Sequence, residues 1–360
     1  MTLGAAARAL RVRLIGKVNG VGLSRDFDLL AGALRDCGCE VLLHGCERRD
    51  RKRRRSLLMQ ISARARLLRL GRRRSLRSEA SCDANIMLEH VWPQFLHQAR
   101  CNVLVPNPEW FDRRDRAFLD AIDRVWAKTS LAQRLFTERG RPTSLIGFDS
   151  EDRYQSEVPR RPQFFHLAGR SPLKGTSRLM ALWQRHPLWP QLLVIQDGSV
   201  KVPQAANIVY TQGYLDDAAL RTLQNEYRFH LCMSEAEGWG HYLVEAMSVG
   251  AVVLTLDAPP MNELVSLERG LLVGGHEGAR HNLATLCRFD EAALEQAISQ
   301  VMSLSPAQLQ GLGDAARAWF LANKRQFVAR VQRAVAEISA LLGVSRPMPA
   351  TAAGRCGDAV

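Results

Sequence analysis

Short apolar runs alternate with helical segments along both halves of the chain, and this alternation limits the fold more than any other feature of the sequence. Alternation of this kind is typical of parallel sheets whose faces are covered by helices. The runs that we predict to be strands are 12–15, 41–44, 85–88, 102–105, 124–127 and 144–146 in the first half, and 164–168, 192–195, 208–210, 229–233, 252–256 and 271–273 in the second. The sequence therefore predicts an α/β protein with two doubly wound, Rossmann-like domains. We expect its ligand in the crevice between the carboxyl ends of their strands.

A polar segment with two prolines separates the two halves and is the expected interdomain linker. The 360 residues leave room for two domains, each with its own core. A helical pattern near the C-terminus offers a return onto the N-terminal domain, and the Ala-, Gly- and Pro-rich tail is expected to be disordered. The predicted units are an N-terminal domain (1–150), a linker (151–163), a C-terminal domain (164–314), a C-terminal helix (315–342) and a tail (343–360).

The sequence has neither the pattern of a membrane span nor that of an exported protein. No run reaches the roughly 18 apolar residues that a spanning helix needs, and arginines interrupt the short Ala/Leu stretch at the N-terminus. The eight cysteines form no C-x-x-C pair and no metal-ligand spacing, so we expect reduced thiols. We therefore predict a cytoplasmic protein that holds no metal.

The net charge of +13 is concentrated in one segment, 48–77, which has 14 Arg and Lys against the single acid Asp50. Its apolar residues make an imperfect amphipathic helix between basic clusters. Three interpretations stay open: peripheral attachment to an anionic membrane surface, contact with RNA or DNA, and a solvated flexible loop. The segment has no aromatic residue for base stacking, so a specific nucleic-acid site is the weakest of the three.

A glycine-rich turn, 234–240, follows the apolar run 229–233 and precedes a helical pattern. Such a turn offers unpaired backbone N–H groups and the positive end of a helix dipole, which suit a diphosphate. Gly238 and Gly240 allow a ligand to come close to the backbone, and Glu237 lies on the turn. Glu245, on the helix, is placed to accept two hydrogen bonds from a ribose diol. The turn therefore predicts a nucleotide-sugar site, with two solvated surface carboxylates as the alternative.

The segments Glu237-Gly238-Trp239-Gly240 and Val244-Glu245-Ala246-Met247 resemble the E-G-F-G…E-A-M signature of the family 4 retaining glycosyltransferases, which have the two-domain GT-B fold and a Glu-x7-Glu motif. The resemblance is strongest over 164–275 and weaker over 11–150. It implies a catalytic Glu237 against the transferred sugar and a Glu245 that binds the nucleotide ribose. It also places the neighbouring motif residues Trp239 and His241 at the donor.

Two further loops are expected at the same crevice. Gly20 and Gly22 follow the first strand, and glycines there permit close backbone approach to a phosphate or sugar, although a tight turn would need them equally. Arg170 and Lys174 follow the first strand of the C-terminal domain and would stabilise a diphosphate without a metal. The family usually spaces these two cations by five residues rather than four, and ordinary surface charge is the alternative.

The remaining candidates depend on the resemblance. Asn262 and Glu263 follow the run 252–256, where the family has a glycine-rich turn whose Glu contacts the donor sugar; here prolines occupy that turn. His90 follows a strand of the N-terminal domain and is our second catalytic candidate, against a purely structural histidine. The loop 106–110 is a comparable acceptor-side candidate.

We thus expect a GT-B, metal-independent, retaining glycosyltransferase that moves a sugar from a nucleotide-sugar donor to a glycan or lipid-linked acceptor of the cell envelope. It would require no cofactor and would act in the cytoplasm, with peripheral attachment at the inner face of the membrane left open. Two alternatives remain: a GT-B nucleotide-sugar epimerase, which needs no acceptor, and a non-catalytic basic adaptor that uses only 48–77.

Overall fold

Two six-stranded parallel sheets, one in each half of the chain, organise the computed structural model, which describes residues 8–17, 22–71, 80–197, 204–213 and 215–344. The first sheet has the order β2-β1-β3-β4-β5-β6. Its strands are β1 (Arg11–Gly16), β2 (Glu40–Gly45), β3 (Cys82–Glu89), β4 (Ala99–Pro106), β5 (Arg124–Ala127) and β6 (Thr143–Leu145).

The second sheet has the order β12-β11-β10-β7-β8-β9. Its strands are β7 (Arg161–Gly169), β8 (Leu192–Gln196), β9 (Ile208–Gln212), β10 (Tyr227–Cys232), β11 (Val252–Leu256) and β12 (Gly270–Val273). All neighbouring strands in both sheets are parallel. All twelve predicted strands are present. In the second sheet the strand order reverses at β7 and β10, which makes the gap beyond their carboxyl ends the expected ligand position.

Helices cover the sheets and join their strands. They are α1 (Gly22–Asp36), α2 (Arg48–Arg55), α3 (Leu57–Gly71), α4 (Arg113–Arg116), α5 (Ser130–Thr137), α6 (Thr176–Arg185), α7 (Asp217–Glu226), α8 (His241–Ser248), α9 (Met261–Leu264), α10 (Glu291–Ser303) and α11 (Pro306–Leu342). Central strands are buried on both faces: every residue of β3, β8 and β11 is buried. This double burial explains why β8 and β11 have largely apolar sequences rather than alternating patterns.

Two boundaries differ from the sequence prediction. β7 begins at Arg161, inside the predicted linker 151–163, although its apolar part begins at Phe164. The C-terminal helix begins at Pro306 rather than at residue 315, because Ser305 caps it through a capping box with Gln308.

The long helix α11 returns to the N-terminal domain. Asn323 donates a hydrogen bond to the carbonyl of Phe148 at 2.8 Å, and Ser144 donates one to Glu337 at 2.8 Å. Gly343, in a left-handed conformation with φ 63°, ends the helix.

An antiparallel hairpin, β13 (Gly275–His281) and β14 (Ala284–Phe289), is an element that the sequence did not predict. Within the residues described, no helix is both long enough and apolar enough to cross a membrane. The predicted donor residue Gly20, the end of the basic segment (72–77) and most of the tail (345–360) lie outside the described residues.

Candidate functional site

A cavity of about 550 Å³ lies between the two domains, at the carboxyl ends of their central strands. The start of α1, the end of β3 and the residues that follow β1, β4 and β5 form its N-terminal wall, and the loops after β7 and β10 together with α8 form its C-terminal wall. This is the position that the reversal of strand order selects. Of the predicted site residues, those at the cavity are Arg170, Lys174, Glu237, Gly238, Trp239, Gly240, His241 and Glu245.

The loop after β7 brings one cation into the cavity and leaves the other at its rim. The ammonium of Lys174 pairs with the carboxylate of Glu237 and lies 3.5 Å from the ring centroid of Tyr242. Arg170 pairs with Asp197 and its side chain is largely exposed. The four-residue spacing therefore places both cations on the same side of the cavity, with Lys174 as the inner one.

Glu237 is held by neighbours that the sequence did not single out. Its Oε1 also accepts a hydrogen bond from the hydroxyl of Ser234 at 2.6 Å. That hydroxyl is in turn 2.5 Å from the phenol oxygen of Tyr242. Burial raises the pKa of Tyr242, so its hydroxyl stays protonated. The carboxylate of Glu237 thus has a fixed position beside the expected diphosphate.

The turn requires glycine at positions 238 and 240 for two different structural reasons. At Gly238 a Cβ would lie 2.3 Å from the side-chain oxygen of Asn107, on the opposite domain. Gly240 has φ 96°, a left-handed conformation, and is the N-cap of α8. Trp239 between them is buried and donates a hydrogen bond to Ser150 at 3.2 Å. The turn therefore needs small residues where it faces the N-terminal domain.

Glu245 is completely buried and bridges the domains. Its Oε1 lies 2.5 Å from Nη1 of Arg25 in α1, and its Oε2 accepts a hydrogen bond from Gln224 at 2.9 Å. Because each carboxylate oxygen can accept two hydrogen bonds, these partners leave capacity for a diol. The predicted role of Glu245 at the ribose remains a prediction.

His241 also joins the domains, through Asp26 of α1. Its Nε2 lies 2.6 Å from Oδ1 of Asp26, and its Nδ1 lies 2.8 Å from the hydroxyl of Ser150. Lys128 pairs with the same Asp26. Burial opposes ionisation of Asp26, but the charges of Lys128 and His241 outweigh it, so the pKa of Asp26 lies below its usual value.

Sequence reasoning missed Arg25, Asp26 and Lys128. For the first two, one signal was available, since they come directly after the predicted glycines Gly20 and Gly22, at the start of α1. Gly22 begins α1 and does not line the cavity.

The acceptor-side loop contributes a carboxyl group in an unusual state. Glu109 is 4% exposed and lines the cavity from the short 3-10 turn Pro108–Trp110. Burial raises its pKa to about 8, helped by the carboxylates of Glu237 and Glu89 and opposed by Lys128. Glu109 is therefore neutral at pH 7.

The structure does not place His90 at the cavity. Its Nδ1 lies 2.9 Å from Asp115 and its Nε2 lies 3.2 Å from Glu89. Arg54 also contacts Asp115, at 2.7 Å. The ring of His90 is thus part of a buried polar cluster, and its neighbour Glu89 lines the cavity in its place.

Asn262 and Glu263 are also placed outside the cavity wall. The carboxylate of Glu263 accepts hydrogen bonds from the backbone N–H groups of Ser130 and Leu131, at 2.6 and 2.8 Å. It therefore caps α5 of the other domain, where unpaired N–H groups favour a negative charge. Asn262 donates a hydrogen bond to Asp257 at 3.0 Å.

One cluster in the described part of the chain has the composition of a metal site. The potential ligand atoms of His44, Cys46 and Asp50 all lie within 4.8 Å of one another, between β2 and α2. These residues do not line the cavity.

Comparison with known proteins places this geometry among glycosyltransferase-like folds. No protein-family model matches the chain. The chain is 27% identical over 176 residues to the GDP-mannose:cellobiosyl-diphosphopolyprenol alpha-mannosyltransferase of Xanthomonas oryzae pv. oryzae (strain PXO99A). That match covers 44% of the chain and 46% of the relative, so the chain matches about half the length of this protein.

Solved structures match over a larger share of the chain. The sucrose-phosphate synthase of Thermosynechococcus elongatus covers 92% of the chain with all of its own length, at a TM-score of 0.65 and 15% identity. A glycosyltransferase from Rickettsia africae ESF-5 covers 92% of the chain with 98% of its own length, at a TM-score of 0.65 and 13% sequence identity. Anabaena HepE in complex with UDP and glucose covers 92% of the chain with its full length, at a TM-score of 0.59 and 15% sequence identity. The fold is GT-B. This result confirms the predicted fold class, whereas assignment to family 4 remains a prediction.

Proposed function

We propose that the protein is a nucleotide-sugar-dependent glycosyltransferase. The observation that carries this proposal is the cavity at the carboxyl ends of β7 and β10, where Lys174, Glu237 and the buried Glu245 lie together. A cation, the N-terminus of α8 and a buried carboxylate match the diphosphate, sugar and ribose of a nucleotide sugar. The relative with GDP-mannose in its name and the neighbour bound to UDP and glucose support a hexosyl donor of this class.

The chemistry follows from charge. As the bond between the sugar and the diphosphate breaks, negative charge develops on the diphosphate, and Lys174, Arg170 and the amides at the start of α8 stabilise it. Lys174 is paired with Glu237 before donor binds, and a diphosphate competes for the same ammonium. Glu237 would then be released toward the sugar, where its negative charge stabilises the developing positive charge at the anomeric carbon. We propose a retaining, metal-independent transfer.

The donor site is tested with Glu245→Gln. We expect the variant to bind UDP-glucose or GDP-mannose at least tenfold more weakly, because an amide offers a single acceptor oxygen to the ribose diol. The measurement is isothermal titration with both nucleotide sugars. Glu263→Gln is the matched control, since its carboxylate lies outside the cavity wall and should leave donor affinity unchanged. Equal donor binding by wild type and folded Glu245→Gln would remove Glu245 from the site.

An assay with and without an acceptor sugar distinguishes a glycosyltransferase from an epimerase. A transferase releases nucleoside diphosphate faster when an acceptor sugar is present, whereas an epimerase converts the donor without one. Failure of the wild type to bind any nucleotide sugar would overturn the proposed function and favour the basic adaptor.

We further propose that the acceptor is presented at an anionic membrane surface, in the cytoplasm, and that α2 and α3 contact this surface. Leu57, Leu58 and Ile61 are 70%, 80% and 56% exposed at the start of α3, directly after the basic helix α2. Exposed apolar side chains beside many arginines suit an anionic leaflet, which attracts basic residues by about 1 kcal/mol each. Arg54 alone among the basic residues of α2 is buried, in the cluster with Asp115.

Vesicle sedimentation tests the membrane proposal. A triple variant with Leu57, Leu58 and Ile61 changed to Ser should lose most of its binding to phosphatidylserine vesicles, and wild-type binding should weaken as salt rises. The matched control is Leu188→Ser with Leu267→Ser, two exposed leucines outside α3. Unchanged sedimentation of the triple variant, or tighter binding of wild type to RNA than to vesicles at equal salt, would contradict the proposal.

A further inference from the structure

The loop 107–110 is held rigidly between the two domains. The backbone carbonyl of Glu109 accepts a hydrogen bond from Asn282 at 2.7 Å, and the carbonyl of Pro108 accepts one from Leu283 at 3.1 Å. Both donors belong to the turn of the β13–β14 hairpin. On the other side, Asn107 accepts a hydrogen bond from Lys128 at 3.0 Å. The side chains of this loop are therefore preorganised, as binding residues need to be.

One carboxyl oxygen of Glu109 has no hydrogen-bond partner in the described part of the chain. A buried polar atom without a partner costs free energy and calls for an explanation, and a bound ligand that supplies the missing partner is one. The charged groups that act on this carboxyl are Glu237 from the loop after β10, Glu89 from the end of β3 and Lys128 from the end of β5. A neutral carboxylic acid can donate one hydrogen bond and accept others, which is what a sugar hydroxyl requires.

Trp110, the next residue, presents an aromatic ring at the same cavity. It is 36% exposed, and its ring packs edge-to-face on His281 of the hairpin, 5.5 Å between centroids. An exposed indole next to a polar group is an apolar plate on which the C–H face of a pyranose can pack. The hairpin contact fixes the orientation of this ring.

We propose that Glu109 and Trp110 form the binding subsite for a pyranose ring of a carbohydrate acceptor. Glu109 exchanges hydrogen bonds with a hydroxyl of that sugar, and Trp110 packs against its ring. This inference rests on the proposed function, because it assumes that the donor occupies the opposite wall around Lys174 and Glu237. In this role Glu109 is a neutral binding group and does not remove the proton of the reacting hydroxyl.

The proposal is tested by titrating a panel of free sugars into the full-length protein saturated with GDP or UDP. Binding of each sugar is measured by saturation-transfer NMR. The panel contains the methyl glycosides of glucose, mannose and N-acetylglucosamine, and cellobiose. We expect Glu109→Ala and Trp110→Ala each to weaken sugar binding about tenfold, the scale of one lost buried contact. Glu109→Gln should stay within about threefold of wild type, because an amide also donates and accepts. Tyr154→Ala, which removes an exposed aromatic ring outside the cavity, is the matched control and should bind like wild type.

A pH series separates binding from a merely structural role. Sugar binding by wild type should weaken as pH rises beyond about 8, where Glu109 loses its proton, and binding by Glu109→Gln should not. Nucleotide affinity, measured in parallel at pH 7, should be the same in all variants.

Three results would overturn the subsite. They are unchanged sugar binding in both alanine variants, loss of sugar binding in Glu109→Gln, and failure of every sugar in the panel to bind a wild-type protein that binds nucleotide. In each case the proposed function stands as long as nucleotide sugars bind. Failure of the wild type to bind nucleotide at all would instead overturn the proposed function.

Discussion

Replacing Glu109 by Gln should stabilise the protein, and the gain should depend on pH. The carboxyl group is buried and its pKa is raised from its usual 4.5 to about 8. Between these two values the unfolded chain has lost the proton and the folded chain still binds it. Stability therefore falls as pH rises from about 4.5 to about 8, because the folded state binds more protons than the unfolded state. An amide at this position has no proton to lose and escapes this cost.

The size of the effect follows from the same two pKa values. One pKa unit corresponds to about 1.4 kcal/mol, so the cost is about 3 kcal/mol at pH 7 and reaches a ceiling of about 5 kcal/mol above pH 8. The entropy of unfolding is roughly 2.1 cal/mol/K per residue. Dividing the cost at pH 7 by the unfolding entropy of all 360 residues predicts that Glu109→Gln raises Tm by about 4 °C at pH 7.

Thermal unfolding of wild type and Glu109→Gln, followed by circular dichroism at pH 5, 6, 7 and 8, measures this difference directly. The two proteins should unfold at nearly the same temperature at pH 5 and diverge as pH rises. Glu138→Gln, an exposed change at the end of α5, is the control and should show no such divergence. A constant offset at every pH, or a less stable Glu109→Gln at pH 8, would refute the claim that the buried carboxyl is neutral.

Two further outcomes are expected from contacts across the cavity. Gly238→Ala should lower the rate of sugar transfer at least tenfold with little change in Tm, because the added Cβ would lie 2.3 Å from Asn107 and must displace the turn. Gly311→Ala, where a Cβ has open space, is the control and should be active. Equal transfer rates for the two variants would contradict the reasoning. Arg25→Ala should lower the urea midpoint by the equivalent of about 1 to 3 kcal/mol, since it leaves the buried carboxylate of Glu245 with Gln224 as the donor that remains; the exposed Arg35→Ala on the same helix should have no such effect.

The sheets could be predicted from the sequence, but the hairpin could not. Central strands such as β8 and β11 are buried on both faces, so each is a largely apolar run bounded by polar residues. Every residue of β13 from Gly275 to Arg280 is exposed, and this strand carries neither an apolar run nor an alternating pattern. Its position depends on contacts with the loop 107–110, which lies more than 150 residues away in the sequence.

The same distinction holds for the site. Arg170, Lys174 and Glu237 were predictable as cavity residues because each lies in the loop after a central strand, and the carboxyl ends of parallel strands meet at one edge. His90 also follows such a strand, but its ring lies in a buried cluster with Asp115 and Arg54, which come from other segments. The order of strands along the chain determines which loops reach the crevice, whereas the direction of each side chain depends on partners from distant parts of the chain.

The charges of the cavity connect these observations. Among the described residues, its lining holds five Lys and Arg side chains (Lys17, Arg25, Lys128, Arg170 and Lys174) and five acidic side chains (Asp26, Glu89, Glu109, Glu237 and Glu245). If all five acids were ionised, the wall would be neutral and would attract a diphosphate weakly. Because Glu109 keeps its proton at pH 7, the wall retains an excess positive charge. A bound diphosphate would in turn hold the proton on Glu109 to still higher pH, since like charges oppose ionisation. Donor binding would thus favour the neutral state of Glu109 in which we propose that it binds the acceptor.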